Sequence, residues 1–179
     1  MRTFIAIDIP EPVKEQIVEI QNSLPEFKGK RTEFENLHLT LKFLGEVDEK
    51  KIEEIKEKLR EIKLKQFGAE IDSMGVFDNR KSNSYTRQIV VWLGIRNCDE
   101  LQREVDEKLS GLFEKEKRFM SHLTIARVKS VRDKRKFLEE IRKIKLPEMK
   151  FAVENFKLKK SILTEEKPIY ENLEIYNLD

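Results

Sequence analysis

The sequence predicts an α+β protein of two similar lobes, and three observations carry the prediction. Residues 36–47 read NLHLTLKFLGEV and residues 120–131 read MSHLTIARVKSV, which places His38/His122, Thr40/Thr124 and Val47/Val131 each 84 positions apart. The flanks of these two segments repeat the same order of strand-like and helix-like patterns. A period this long is too large for a solenoid unit and suits two lobes related by a pseudo-twofold axis.

The elements follow in order. TFIAIDI (3–9) is a largely apolar run bounded by Pro10, as a partly buried strand is. PVKEQIVEIQNSL then sets Val13, Ile17, Ile20 and Leu24 at helical spacing, with Pro12 in the first turn. The HLTL segment is a strand. DEKKIEEIKEKLREI lines Ile52, Ile55, Leu59 and Ile62 on one helix face, and FGAEIDSMGVF (67–77) closes the half as a strand. The second half repeats this. RQIVVWLGI (87–95) is a strand, and DELQREVDEKLSGLF is a helix on Leu101, Val105, Leu109 and Leu112, capped by Asp99 and ended by Gly111. The HLTI strand follows, then a helix on Phe137, Leu138, Ile141 and Ile144, then one strand-like stretch over 150–163. A turn at 78–84 joins the halves. No Pro/Gly/Ser-rich linker divides the chain, so residues 1–179 are expected to form a single bilobal domain with repeats near 1–77 and 85–165.

Composition removes several function classes. The single Cys98 excludes a disulfide framework, and two histidines exclude a three-histidine zinc site. No stretch reaches the roughly 20 apolar residues of a membrane span, and the start lacks the basic and apolar regions of a secretion signal. A reduced, cytoplasmic protein is expected. Charged residues make up 39% of the chain, against about 25% in an average domain, and Lys and Glu supply most of them. That excess is the compositional trend of hyperthermophile proteins. There is no GxxxxGK(S/T) loop, so no nucleoside-triphosphate cofactor is expected, while a base-stacking nucleotide in the cleft stays open; no metal or other cofactor is expected.

The chemistry lies in the repeated HxT. Side chains at i and i+2 of a strand share a face, so His38 joins Thr40 and His122 joins Thr124, while Leu39, Leu41, Leu123 and Ile125 point to the core. Under a pseudo-twofold axis both histidines face one cleft. Histidine titrates near pH 6.5, so one imidazole can take a proton while the other gives one. Threonine hydroxyls donate to phosphate oxygens without adding charge. The set suits in-line displacement at a phosphodiester without metal.

The paired motifs, with MRTFIAIDIP at the start and SILTEEKPIYENL near the end, resemble the two-histidine phosphoesterase superfamily. Within it they resemble the branch known as 2′-5′ RNA ligases and as RNA 2′,3′-cyclic phosphodiesterases, in its archaeal form. The resemblance covers essentially the whole chain. It implies a bilobal α+β fold with antiparallel sheets lining a central cleft and helices outside. It implies hydrolysis of a terminal 2′,3′-cyclic phosphate to a 2′-phosphate, and reversible 2′-5′ joining of RNA ends such as tRNA halves. By motif position it makes His38 the general acid and His122 the general base, with the reverse assignment open, and Thr40, Thr124 and Arg127 the phosphate ligands. Arg127 stands at an odd offset from His122, so it joins the same face only if a bulge or the strand end turns it back.

Anionic RNA ends call for positive charge. RVKSVRDKRK (127–136) holds six basic residues and one acid, and KGKR (28–31), NRK (79–81) and Arg87 form smaller groups. Phe43 and Tyr85 are candidates to stack on a base, although strict alternation turns Phe43 toward the core. Lys160, Ser161 and Tyr170 fall in the C-terminal stretch of the resemblance and receive no role. A monomer acting on RNA ends is expected. Two alternatives stand beside it: a phosphodiesterase of a small cyclic nucleotide or ADP-ribose derivative, and a non-catalytic RNA-binding protein of the same fold.

Overall fold

A computed structural model describes residues 1–78 and 88–179. Most of the predicted turn at 78–84, with Tyr85 and Arg87, lies outside the described residues. Nine strands and four helices are described, in the order β1 (Arg2–Asp8), α1 (Glu11–Ser23), β2 (Lys28–Arg31), β3 (His38–Glu46), α2 (Glu49–Arg60), β4 (Phe67–Asp78), β5 (Ile89–Arg96), α3 (Asp99–Lys108), β6 (His122–Ser130), α4 (Lys134–Lys143), β7 (Met149–Val153), β8 (Asn155–Leu163) and β9 (Pro168–Asn177). They form two antiparallel sheets, β3-β1-β8-β9 and β2-β6-β5-β4-β7. The α+β class with two antiparallel sheets is the one the sequence predicts.

Each helix buries the centre of the apolar stripe read from its spacing: Val13, Ile17 and Ile20 on α1, Ile52, Ile55 and Leu59 on α2, Leu101 and Val105 on α3, and Phe137 and Ile141 on α4. Leu24, Ile62 and Leu109 are buried just past the helix ends, and Leu112, Leu138 and Ile144 are half-buried against the core. The second and fourth helices start alike. Asp48 accepts from the Lys51 amide at 2.8 Å and Asp133 from the Lys136 amide at 3.0 Å, each satisfying an orphan first-turn donor. Asp99 is not the cap of α3 but its first residue, with Cys98 in the cap position, and the helix ends at Lys108, short of Gly111.

The halves exchange their third strands. β4 follows β3 and α2 in sequence, yet it pairs with β5 of the other half, while β8 pairs with β1. Consecutive antiparallel strands prefer to pair, which draws β4 to β5 and leaves the second edge of β1 open for β8. The expected single strand over 150–163 is therefore two. β7 pairs with β4 in one sheet, and β8 pairs with β1 in the other. The burial phase records the crossing: Phe151 and Val153 are buried, then Phe156 and Leu158, an odd step at Glu154–Asn155. The apolar spacing predicts neither β2 nor β9. β2 is wholly exposed and carries no apolar residue, and β9 is an edge strand that begins at Pro168.

A buried ion pair fastens β3 to the second half. Lys42 Nζ donates to Asp106 Oδ1 at 2.6 Å and to the Glu114 carbonyl at 2.7 Å. Asp106 Oδ2 also accepts from Gln102 Nε2 at 2.8 Å and from the Glu116 amide at 2.9 Å. All four contacts are charge-assisted, and the lysine side chain is 3% exposed.

Candidate active site

β3 and β6 are built alike and lie close together. Position by position from His38 and from His122 they share one burial pattern: half-buried, buried, half-buried, buried, buried, exposed, buried, exposed, exposed. The two adjacent buried positions mark a bulge in each strand. Ile5 pairs with Lys42 and Ala6 with Thr40, which leaves Leu41 without a partner. Val91 pairs with Ala126 and Trp92 with Thr124, which leaves Ile125 without one. One extra residue reverses the alternation beyond it. Arg127 thereby returns to the face of His122 and Thr124, as the bulge alternative requires. The equivalent bulge in β3 overturns the core placement of Phe43, which is 69% exposed on the histidine face.

The outer edge of β6 is held from the first half. Gln21 Nε2 donates to the Ile125 carbonyl at 2.8 Å, Thr32 Oγ1 donates to the Thr124 carbonyl at 2.9 Å, and the Thr32 amide donates to the Ile125 carbonyl at 2.9 Å. The bulged residue of the second motif is thus fixed by the Gln21 side chain and the Thr32 amide, whose roles the repeat does not announce.

Both imidazoles are oriented by the same device. His38 Nδ1 lies 2.6 Å from the Asn36 carbonyl and His122 Nδ1 lies 2.7 Å from the Met120 carbonyl, each two residues upstream. A carbonyl only accepts, so each Nδ1 carries a proton and Nε2 is the atom left to take or give one. His38 Nε2 is 3.1 Å from Thr40 Oγ1. Aromatic rings wall both histidines. Tyr170 meets His38 edge-on with centroids 5.1 Å apart, and Phe4 lies at 5.1 Å on another side. Phe77 meets His122 edge-on at 5.2 Å, with Trp92 at 6.4 Å. Gly75 makes room for that indole: a Cβ there would collide with the Trp92 ring.

The electrostatics around His38 are uneven. Burial pushes its pKa down to about 4, helped by the charges of Lys159 and Lys14 and opposed by the Asn36 hydrogen bond and Asp8. Asp8 sits opposite His38 on β1 and binds Lys157 at 2.5 Å and Lys159 at 2.8 Å. Burial alone would raise the Asp8 pKa, but the two ammonium groups outweigh it and hold the carboxylate below its usual range. The Tyr170 pKa is raised by burial and eased back by Arg127 and Arg2. Arg127 belongs to the second sheet and Tyr170 to the first, so the arginine's charge acts across the two sheets.

Of the residues singled out in the sequence, His38, Thr40, His122, Thr124 and Arg127 thus stand on the matching faces of β3 and β6. Sequence reasoning gave no role to Tyr170 and did not see Phe4, Phe77, Trp92, Asp8 and Lys159. The spacing of the motif contains none of them, since they come from β1, β4, β5, β8 and β9. Among the described residues no group of three or more His, Cys, Asp or Glu side chains is placed to hold a metal ion. No described helix is long and apolar enough to cross a membrane.

The chain is similar to known proteins over nearly its whole length. It is 43% identical to an RNA 2′,3′-cyclic phosphodiesterase of Methanocaldococcus jannaschii, over 96% of this chain and 97% of that one. It is 38% identical to an RNA 2′,3′-cyclic phosphodiesterase of Archaeoglobus fulgidus, over 98% of this chain and 99% of that one. The fold matches the crystal structure of Escherichia coli LigT complexed with 3′-AMP at a TM-score of 0.76 and 26% identity, over 99% of this chain and 97% of LigT. Residues 7–85 and 94–170, which contain both HxT strands, match the model of the LigT-like phosphoesterases, and the chain belongs to that family.

Proposed function

We propose that this protein is an RNA 2′,3′-cyclic phosphodiesterase that opens a terminal cyclic phosphate to a 2′-phosphate by acid–base catalysis between two histidines. The observation that carries the proposal is the matched pair of imidazoles, each locked by an Nδ1 hydrogen bond with Nε2 left for proton transfer, on strands that also present Thr40, Thr124 and Arg127. The names of the family relatives select RNA ends over a small cyclic nucleotide or an ADP-ribose derivative as substrate.

In the reaction, water attacks phosphorus and the O3′–P bond breaks. One imidazole takes the water proton and the other delivers a proton to O3′, giving a 2′-phosphate and a free 3′-hydroxyl. Thr40, Thr124 and Arg127 hold the non-bridging oxygens as charge builds on them. Motif resemblance made His38 the acid. Burial keeps the His38 ring neutral at pH 7, the protonation state a general base starts from in the hydrolytic direction, while the same shift makes it a weaker base. We therefore give His38 the base role and His122 the acid role.

Both halves act as one unit, since each sheet contains strands of both. The enzyme works as a monomer, without metal or nucleotide cofactor, in a reducing cytoplasm that suits the free, buried Cys98.

The test is an assay, with chelator present, on a short RNA ending in a 2′,3′-cyclic phosphate. Wild type is expected to yield a 2′-phosphate terminus, and His38→Ala and His122→Ala are each expected to lose about 10²–10⁴-fold in turnover while staying folded. A variant that keeps full turnover removes its histidine from the mechanism. Wild type that binds the RNA without converting it makes the protein a binding module. Adding an RNA with a 5′-hydroxyl to the same assay tests 2′-5′ joining.

A further inference from the structure

The strand pair β2–β6 carries an arrangement that folding alone does not favour. Lys30 lies directly opposite Arg127 in the antiparallel register. Like charges at such a position repel and destabilise a sheet. Lys28 follows on the face of Lys30, opposite Ser130, and Lys129 is the unpaired residue of a bulge between Val128 and Ser130. Lys28, Lys30, Arg127 and Lys129 are all exposed, and neither strand holds an acidic residue. Elsewhere on this surface lysines and arginines commonly pair with carboxylates, as Arg60 does with Glu174 and Lys108 with Glu61. None of these four enters an ion pair among the described residues.

The strip is also built into place. Gly29 has φ +154°, and a Cβ at that position would collide with the Arg127 carbonyl, so β2 approaches β6 as closely as only glycine permits. Lys30 Nζ donates to the Glu166 carbonyl at 3.1 Å, which anchors it toward the β8–β9 turn while it stays exposed. The strip starts at Arg127, on the face of His122, and runs away along β6. From Thr124 to Lys129 the strand covers about 17 Å at roughly 3.3 Å per residue.

We infer that Lys28, Lys30 and Lys129 form a backbone-binding track for single-stranded RNA, holding the phosphates that precede the terminal cyclic phosphate while Arg127 stands at its junction with the site. Phosphates replace the missing counter-charges and relieve the Lys30–Arg127 repulsion. The track reads no bases. It distinguishes the end of an RNA chain from a mononucleoside cyclic phosphate, which is too short to reach it. The inference rests on the RNA-end reading above.

The experiment compares wild type with the combined variant K28Q/K30Q/K129Q on two substrates: adenosine 2′,3′-cyclic phosphate and an eight-nucleotide RNA with the same cyclic end. The ratio of kcat/KM for RNA over mononucleotide is expected to fall at least about tenfold in the variant near 0.1 M salt. The slope of log kcat/KM for RNA against log salt is expected to flatten by about two, at roughly 0.7 per removed contact on a single strand. An unchanged ratio overturns the track, and so does an equal loss on both substrates. Binding of the same RNA ending in a 2′-phosphate, followed by fluorescence anisotropy, keeps the two proposals apart. If wild type turns over neither substrate, the catalytic reading fails, and a variant that binds this RNA as tightly as wild type overturns the track on its own.

Discussion

Tyr170 stands edge-on to His38, with ring centroids 5.1 Å apart and planes at 86°. The two residues come from opposite ends of the chain and meet because β8 and β9 complete the sheet that β1 and β3 begin. Phe4 closes the same cluster, 5.0 Å from Tyr170 and 5.1 Å from His38. An imidazole fixed at Nδ1 can still pivot about that bond, and the edge of Tyr170 limits the pivot.

Tyr170 is therefore a positioning residue acting through His38. Tyr170→Ala is expected to lower kcat about tenfold with little change in KM, whereas Tyr170→Phe keeps the ring and is expected to stay within about twofold of wild type. A misplacement of the base costs rate in this way because proton transfer depends on near-attack geometry. Steady-state kinetics on both variants decide it. A loss in Tyr170→Phe as large as in Tyr170→Ala would show that the hydroxyl, not the ring, matters.

The position of the acidic limb of the pH–rate profile follows from His38. Its pKa is held down to about 4 by burial, so the ring is deprotonated through the neutral range and protonates only in acid. With His38 as base, kcat/KM falls on the acid side near pH 4, well below the ordinary histidine value of about 6.5. The same shift has a stability consequence. The unfolded chain takes up the proton near pH 6.5 and the folded chain only near pH 4, so His38 contributes stability above pH 6.5 that is lost progressively as pH falls from 6.5 to 4. The His38→Gln variant is expected to flatten that part of the stability curve. A rate limb near pH 6.5 would return the acid role to His38.

How far the site is legible in the sequence depends on which interactions are local. The two HxT strands declare themselves, because strand alternation fixes which side chains travel together. The bulges at Leu41 and Ile125 do not, since nothing in the spacing of apolar residues separates a bulge from a strand end. Phe43 is misplaced by strict alternation for that reason alone, and Arg127 is left ambiguous. The exchange of β4 and β8 leaves one faint trace, the odd step between Val153 and Phe156. β2 leaves none, having no apolar residue to set a period. The partners of the imidazoles were out of reach for another reason: Tyr170, Phe77, Trp92 and Asp8 are assembled by pairing between strands distant in the chain, which no local pattern encodes.

The ion pair of Lys42 and Asp106 separates structure from catalysis on β3. Lys42 occupies the position beside the bulge, two residues past Thr40, and its side chain is 3% exposed while that of Asp106 is 9% exposed. Such a pair contributes little beyond what well-packed apolar residues would, but removing one partner strands a buried charge. Lys42→Met alone is expected to cost about 3–5 kcal/mol of stability, because Asp106 keeps its Gln102 and Glu116 donors yet loses its counter-charge. The double variant Lys42→Met/Asp106→Leu is expected to recover most of that loss. Chemical denaturation of the four proteins of this cycle measures the coupling. Turnover at a temperature where all four are folded is expected to stay within about twofold, since Lys42 points away from His38 and Thr40 into the contact with α3. A large loss of kcat in a folded Lys42→Met would instead place this ion pair in control of the bulge that sets the histidine face.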